Sequence, residues 1–264
     1  MIREITSLVC FTLGFASNVW SIEAPTVRTI AGGVNGKTQS GAKGFEGDGG
    51  PATESALYEP AGLSVDSEGN LFIADSFNHR IRKIDTNGNI STVAGPGTDL
   101  LGDGGPATEA GLFWPNDVFV HSSGEIYISD TFSGRIRKID LSGNISTVAG
   151  GGTEQPSDAG SALDAKFRPR GIAVDTDGTM YIAATPYDDN DYHQVLRVDS
   201  EGSISVFAGA GTASQGFDGD GGPATEALLS FPWDIAIGPD GSVYIADKGN
   251  HRVRVVDTDG IITT

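Results

Sequence analysis

The stretch GDGGPATESALYEPAGLSVDSEGNLFIADSFNHRIRKIDTNGNISTVAG, residues 47–95, returns along the chain and decides the architecture. GDGGPAT begins at Gly47, again at Gly102 and again at Gly219. After each copy come a proline (Pro60, Pro115, Pro232), an apolar run ending in Asp75, Asp130 or Asp247, and a basic run starting at Arg80, Arg135 or Arg252. Ala-Gly closes the cycle at 94–95 and 149–150, and a weaker copy runs from Pro169 through Ala184, Gln194 and Asp199 to Gly209. Asp75, Asp130, Ala184 and Asp247 follow one another at 55, 54 and 63 residues. Self-similarity of this period belongs to a stacked or circular array.

Each unit holds four short runs of strand character. In the first they are residues 63–66, 71–75, 80–85 and 90–94, separated by turn signals such as Glu68-Gly69-Asn70 and Asn87-Gly88-Asn89. The second run is apolar on both faces in every unit, as a strand sandwiched between neighbouring sheets should be. No window has helical periodicity beyond one short turn near 52–57. Four-stranded units arranged radially are the blades of a β-propeller, so the expected class is all-β, with blades at about 60–95, 115–150, 169–209 and 232–264.

NLFIADSFNHRIRKIDTNGNISTVAG (residues 70–95) resembles an NHL repeat, with Asn78-His79-Arg80 and Asn250-His251-Arg252 matching its core. The GDGGPATEAxL segment is similar to the version found in bacterial and teneurin NHL arrays. The resemblance covers about residues 26–264 and implies architecture more than activity. NHL propellers and their relatives include protein- and RNA-binding modules, adhesion modules, lyases and lactonases, so function has to be argued from the site.

Composition narrows the partners. Thirty-five acidic against 17 basic residues give a formal charge of −18, and such a surface repels nucleic acid and anionic membranes. Residues 1–24 lie outside the repeat. Their short apolar run at 8–16 follows Arg3 and precedes Ser17, Ser21 and Ala24, which reads as a signal peptide and a secreted or periplasmic product. Cys10, the one cysteine, falls in that segment, so the mature propeller at 25–264 would carry no thiol, disulfide or Cys-ligated zinc.

Comparing the blades with one another points to particular side chains. Three carry an Asp and an Arg five residues later: Asp75/Arg80, Asp130/Arg135 and Asp247/Arg252. The third blade has Ala184 and Gln194 instead, losing both at once, and this predicts a structural latch of carboxylate and guanidinium. His79, His193 and His251 are in register, with Gly134 in the remaining blade. Blades fan outward, so these are expected to be turn residues satisfied by local backbone, not joint ligands of a metal. His121 stands alone. Asp218-Gly219-Asp220-Gly221 is the best candidate for Ca²⁺ or another divalent cation, but the loops lack the remaining ligands of a calcium loop, and a Gly-Pro turn explains them without a cofactor.

Residues just after each proline should ring the mouth of the central channel: Ala61-Gly62, Asn116-Asp117, Arg170-Gly171 and Trp233-Asp234. They differ between blades while the framework repeats, as expected of a site on a scaffold. WPNDVFVHSSGEIYISD (residues 114–130) also resembles the Pro-Asn-Asp strand of gluconolactonase-type propellers, which implies a metal-binding role for Asn116 alone. Ala61-Gly62 and Arg170-Gly171 do not supply that family's other ligands, leaving Asp117 and Asp234 as contributors.

Two readings follow. The favoured one is a secreted, non-catalytic module binding a protein, peptide or glycan at Asn116, Asp117, Arg170, Trp233 and Asp234. The other is a metal-dependent lactonase, hydrolase or lyase with Asn116, Asp117 and Asp234 holding the cation.

Two expectations concern the loops and ends. The insertion 185–192, with Asp188, Asp189 and Asp191, should project from the GDGGPAT face as a mobile partner contact. Residues 26–32 match a fourth strand with no blade before them and should close the last blade. The preferred expectation is an open arc belonging to a longer array, for example a six-bladed one. The alternative is a compact ring in which 27–31 pairs with 252–257.

Overall fold

In a computed structural model of the protein, the described residues are 28–32, 45–97, 101–185, 193–211 and 216–264. They form sixteen strands in four antiparallel four-stranded sheets, the blades of a β-propeller. Blade 1 is β1 Pro60–Val65, β2 Leu71–Asp75, β3 Arg80–Ile84 and β4 Ile90–Ala94. Blade 2 is β5 Pro115–Val120, β6 Ile126–Asp130, β7 Arg135–Ile139 and β8 Ile145–Gly150. Blade 3 is β9 Arg168–Val174, β10 Met180–Thr185, β11 Gln194–Val198 and β12 Ile204–Ala208. Blade 4 is β13 Pro232–Ile237, β14 Val243–Asp247, β15 Arg252–Val256 and β16 Ile262–Thr263.

Local chemistry makes these hairpins. Asp85 Oδ1 accepts the backbone N–H groups of Asn87 and Asn89, both at 2.9 Å, while Gly88 supplies the left-handed conformation (φ 84°) that the turn requires. Asp140 and Asp257 repeat this arrangement at the same turn of blades 2 and 4. The prolines open the innermost strands, where a missing N–H is tolerated, and in blades 1, 2 and 4 a bulge follows at once.

The innermost strands pack in series, β1 on β5, β5 on β9 and β9 on β13. Three apolar cores lie between successive blades. Phe72, Ala74 and Ile81 of blade 1 meet Val118, Ile128 and Ile139 of blade 2. Tyr127 and Ile136 meet Ile172, Ile182 and Leu196 in the next core, and Ala183 and Val195 meet Ile235 and Ile245 in the third. A blade therefore has a leading face, turned to its predecessor, and a trailing face, turned to its successor.

The GDGGPAT segments are straps that join blades. Gly49 N–H donates to Ile90 O and Ile90 N–H to Gly50 O, which fastens the first strap along β4. The second strap accepts from the blade before it, through Gly95 N–H to Ala107 O at 3.0 Å. Gly32 N–H reaches Ala52 O in the same way, at 3.1 Å. Residues 28–32 do not pair with β15, whose outer neighbour is β16, with Ile262 on Val256 and Thr263 on Val255, so the compact-ring pairing of 27–31 with 252–257 does not hold. Residues 1–24, expected to be a signal peptide, and residues 186–192 of the insertion lie outside the described residues.

The latch exists, with a different arginine. Asp75, Asp130 and Asp247 do stand opposite Arg80, Arg135 and Arg252 in the β-ladder. Their carboxylates, however, face the guanidiniums two residues on: Arg82 at 3.3 Å, Arg137 at 3.9 Å and Arg254 at 3.7 Å. The two arginines of each R-x-R run share one face of the strand, and the second is the one fully enclosed. Its other nitrogen holds the strap aspartate, Asp48 at 2.8 Å, Asp103 at 2.6 Å and Asp220 at 2.7 Å. Asp75, Asp130 and Asp247 also each accept a backbone N–H, from Tyr58, Phe113 and Ser230.

The first arginines do other work. Arg80 and Arg252 lie over Phe45 and Phe217, at 3.3 and 3.9 Å, and Arg135 donates to Ser133 O. In the last strap, Asp220 holds Arg254 and Asp218 Oδ1 accepts Gly219 N–H.

Candidate functional site

The face that carries the entry loops and the second-to-third strand turns bears a strip of aromatic rings. Tyr58 lies 4.9 Å from Phe77, Phe77 stacks on Trp114 at 4.3 Å, and Trp114 meets Phe132 edge-on at 4.5 Å. The Arg168 guanidinium lies 5.2 Å from the Phe132 ring. On blade 4, Trp233 lies between two cations, with Lys248 Nζ at 3.4 Å from its centroid and the Arg170 guanidinium at 4.6 Å. On a chain of formal charge −18, three cations among aromatic rings make this a distinct surface.

Backbone geometry presents the rings. Trp114 and Phe231, the residues before Pro115 and Pro232, have φ of 53° and 49°. A bulky residue reaches this left-handed region only when its surroundings hold it there. The holders are histidines of the preceding blade: Trp114 N–H donates to His79 Nδ1 at 3.1 Å and Phe231 N–H to His193 Nδ1 at 3.0 Å. The histidines are therefore turn residues, but they satisfy the next blade's backbone and not their own. Blade 2 has Gly134 at this place, and Arg168 of blade 3 is correspondingly absent from the positive-φ residues.

The mouth residues divide. Arg170 and Trp233 come together, and Arg170 Nε donates to Thr185 Oγ1 at 3.1 Å. Asn116 is half-buried and does not enter the strip. Asp117 Oδ2 accepts the Ile172 N–H of blade 3 at 2.9 Å, and its Oδ1 accepts Val118 N–H at 2.8 Å. Asp234 Oδ1 accepts Ile235 N–H. Sequence reasoning looked after the prolines and passed over Tyr58, Trp114 and the turn residues Phe77, Phe132 and Lys248. The signal was the recurrence of an aromatic residue before Pro115 and Pro232 and within the turns at 77 and 132.

Burial pushes the Asp117 carboxyl up to about 7, and the nearby Asp234 charge adds to the rise. Its folded pKa therefore exceeds its unfolded value of 3.8, so its contribution to stability is present below that value and is lost as pH rises toward about 7. The expected result is a carboxyl resonance titrating near neutrality, which moves to lower pH in Asp234→Asn. A titration midpoint near 4 in the wild-type protein would remove Asp117 from this description.

A divalent cation fits these residues poorly. Both Asp117 oxygens accept backbone N–H groups, and among the described residues no three His, Cys, Asp or Glu side chains converge on a point that could hold one. Asp117 acts as a staple between inner strands.

The model of the teneurin NHL domain matches residues 26–101 and 168–257. Chicken (Gallus gallus) teneurin-1 is 32% identical over 233 residues, covering 80% of this chain and 8% of the relative. Drosophila melanogaster teneurin-m is 31% identical over 225 residues, 74% of this chain and again 8% of the relative. The chain thus spans under a tenth of the length of the curated relatives it matches.

Solved propellers are similar in fold alone. A structural genomics protein of unknown function from Bacteroides thetaiotaomicron has a TM-score of 0.58 at 22% identity, over 75% of this chain and 47% of that one. A gluconolactonase from Xanthomonas campestris has a TM-score of 0.54 at 15% identity, over 79% and 61%. Repeats, blades and family model agree: the chain belongs to the teneurin NHL domain family.

Proposed function

We propose that this is an exported, non-catalytic NHL propeller that binds a protein, peptide or glycan through its loop-bearing face. The observation that carries the reading is the aromatic strip with Arg170, Trp233 and Lys248 at its far end. Aromatic faces supply contact area at low conformational cost, and the adjoining cations favour an anionic group on the ligand. Asp117 caps backbone N–H groups of two inner strands, and this structural role supports a binding module over a catalytic one. Export rests on the leader-like segment at 1–24 and on a propeller without cysteine. No described helix is long and apolar enough to cross a membrane.

Glycan and peptide arrays probed with purified protein test the reading. Lys248→Ala together with Trp233→Ala should weaken binding by about tenfold or more, with the melting temperature little changed. Binding unaltered by the pair would place the ligand on another surface.

A further inference from the structure

On the face opposite the aromatic strip, where the first-to-second and third-to-fourth strand turns lie, a groove of about 630 Å³ opens between blades 1 and 2. Its floor is apolar, with Phe72 and Val93 from blade 1 and Val120, Ile126 and Ile139 from blade 2. Asp66, Glu68, Lys83 and Asp140 stand around it. The inner end is stopped where Val120 N–H donates to Ser64 Oγ at 3.0 Å.

Larger side chains and a bridge occupy the equivalent places of the later blades. Between blades 2 and 3, His121 Nε2 donates to Asp175 O at 3.0 Å, and Lys138 pairs with Glu125 at 2.8 Å. Blade 1 has Asp66 where blade 2 has His121, and Asp66 turns back to accept from Asn70 of its own turn. Asn70 also stands in the place of Glu125, so Lys83, the counterpart of Lys138, lacks that partner and lies 5.5 Å from the Phe72 ring. The strap residue Thr108 takes the place that Leu163 has in the next strap, since Ala107 N–H donates to Gly143 O as Ala162 N–H does to Gly202 O. Between blades 3 and 4, Tyr181 meets Phe207 edge-on at 4.8 Å, and Phe207 holds the position of Val93. Smaller side chains and a missing bridge thus leave the first interface open.

A space of this size suits a compact organic ligand whose body the apolar floor takes out of water. The rim selects its charge. Both oxygens of Asp66 are taken within its own turn, and Asp140 Oδ1 accepts Ser142 and Asn144 N–H. Asp140 Oδ2 and Glu68 Oε1 have no hydrogen-bond partner among the described residues. Three carboxylates against one lysine, on a chain of formal charge −18, give the groove a negative field. We propose that this groove binds a small organic ammonium with an aromatic or branched apolar body. The body packs on Phe72, Val120 and Ile139, and the ammonium donates charge-assisted hydrogen bonds to Asp140 and Glu68. The stopped inner end favours such a compact molecule over an extended chain.

Isothermal titration calorimetry of the purified protein with tryptamine, and with tryptophol as its uncharged analogue, tests this. Tryptamine should bind saturably and at least about tenfold more tightly than tryptophol, as charged hydrogen bonds require. Glu68→Gln with Asp140→Asn should bring tryptamine down to the level of tryptophol and leave tryptophol unchanged. Val93→Phe copies Phe207 and Thr108→Leu copies Leu163, so the two fill the groove from different sides. Each should weaken both ligands by about tenfold or more without lowering the melting temperature. Thr108 is exposed, so its variant carries the test even if Val93→Phe does not fold. Absence of saturable tryptamine binding at millimolar concentration overturns the proposal. So does tryptophol that binds as tightly as tryptamine, or tryptamine binding indifferent to the filled groove. Array binding is read at Trp233 and Lys248 on the other face, so either result can fail without the other.

Discussion

Arg137→Ala should be among the most damaging single substitutions in the chain, costing about 3–5 kcal/mol in urea unfolding. Arg137 is fully enclosed, holds Asp103 of the strap at 2.6 Å, faces Asp130 at 3.9 Å and donates to Leu101 O and Gly111 O. Its removal takes away the buried guanidinium that faces Asp130 and lets the strap go at once. The penalty has a definite pH dependence. Burial pushes the Asp130 carboxyl up to about 6, while Ser133, the Phe113 N–H and Arg137 hold it down. Without Arg137 the folded value rises further, so the deficit of the variant relative to wild type is constant below about 6 and grows as pH climbs from there toward the variant's higher value. A loss no larger than that of Arg135→Ala would return the latch to the first arginine.

The third blade shows how the same position is built without charge. Leu196 stands where the others have arginine and Ala184 where they have aspartate, and both are buried. Asp130→Ala with Arg137→Leu copies that pair into blade 2 and should recover much of the loss, because an apolar pair removes the desolvated charge instead of stranding it. What remains missing would measure the hold of Arg137 on Asp103.

Much of this was readable in the chain because it repeats. GDGGPAT, the prolines, and the Asp and Arg positions recur at fixed offsets, and a repeat exposes framework and exception together. The exception in blade 3 located the latch but not its arginine. Gln194 faces Ala184 in the ladder, yet the decisive exchange is Leu196, two residues on and on the enclosed row. Contacts between blades were hidden for a different reason. His79 holds Trp114 and Asp117 holds Ile172 across 35 and 55 residues, and nothing local marks such partners. The aromatic strip joins residues from turns and entry loops, which only the radial stacking of blades brings together.

Gly171→Ala should reveal how closely the inner strands approach. A methyl group there would lie 2.6 Å from Asp234 Cα and 2.9 Å from Trp233 O, both backbone atoms that cannot swing aside. Gly62 is in the same position against Asp117, with Asp117 Cα at 2.6 Å. Glycine and aspartate therefore alternate around the inner strands for a physical reason. The small residue of one blade admits the aspartate of the next, and that aspartate, through Asp117, reaches on to cap Ile172. Overpacking at such a site costs about 1–3 kcal/mol. Because β13 must move to accommodate the methyl, the Trp233 ring should leave its place between Arg170 and Lys248, shifting its fluorescence. Gly160→Ala is the control: nothing lies within 4 Å of its added methyl, so stability should hold or rise by about 0.4–1 kcal/mol. If the two variants unfold at the same urea concentration, the inner strands are looser than the alternation of glycine and aspartate requires.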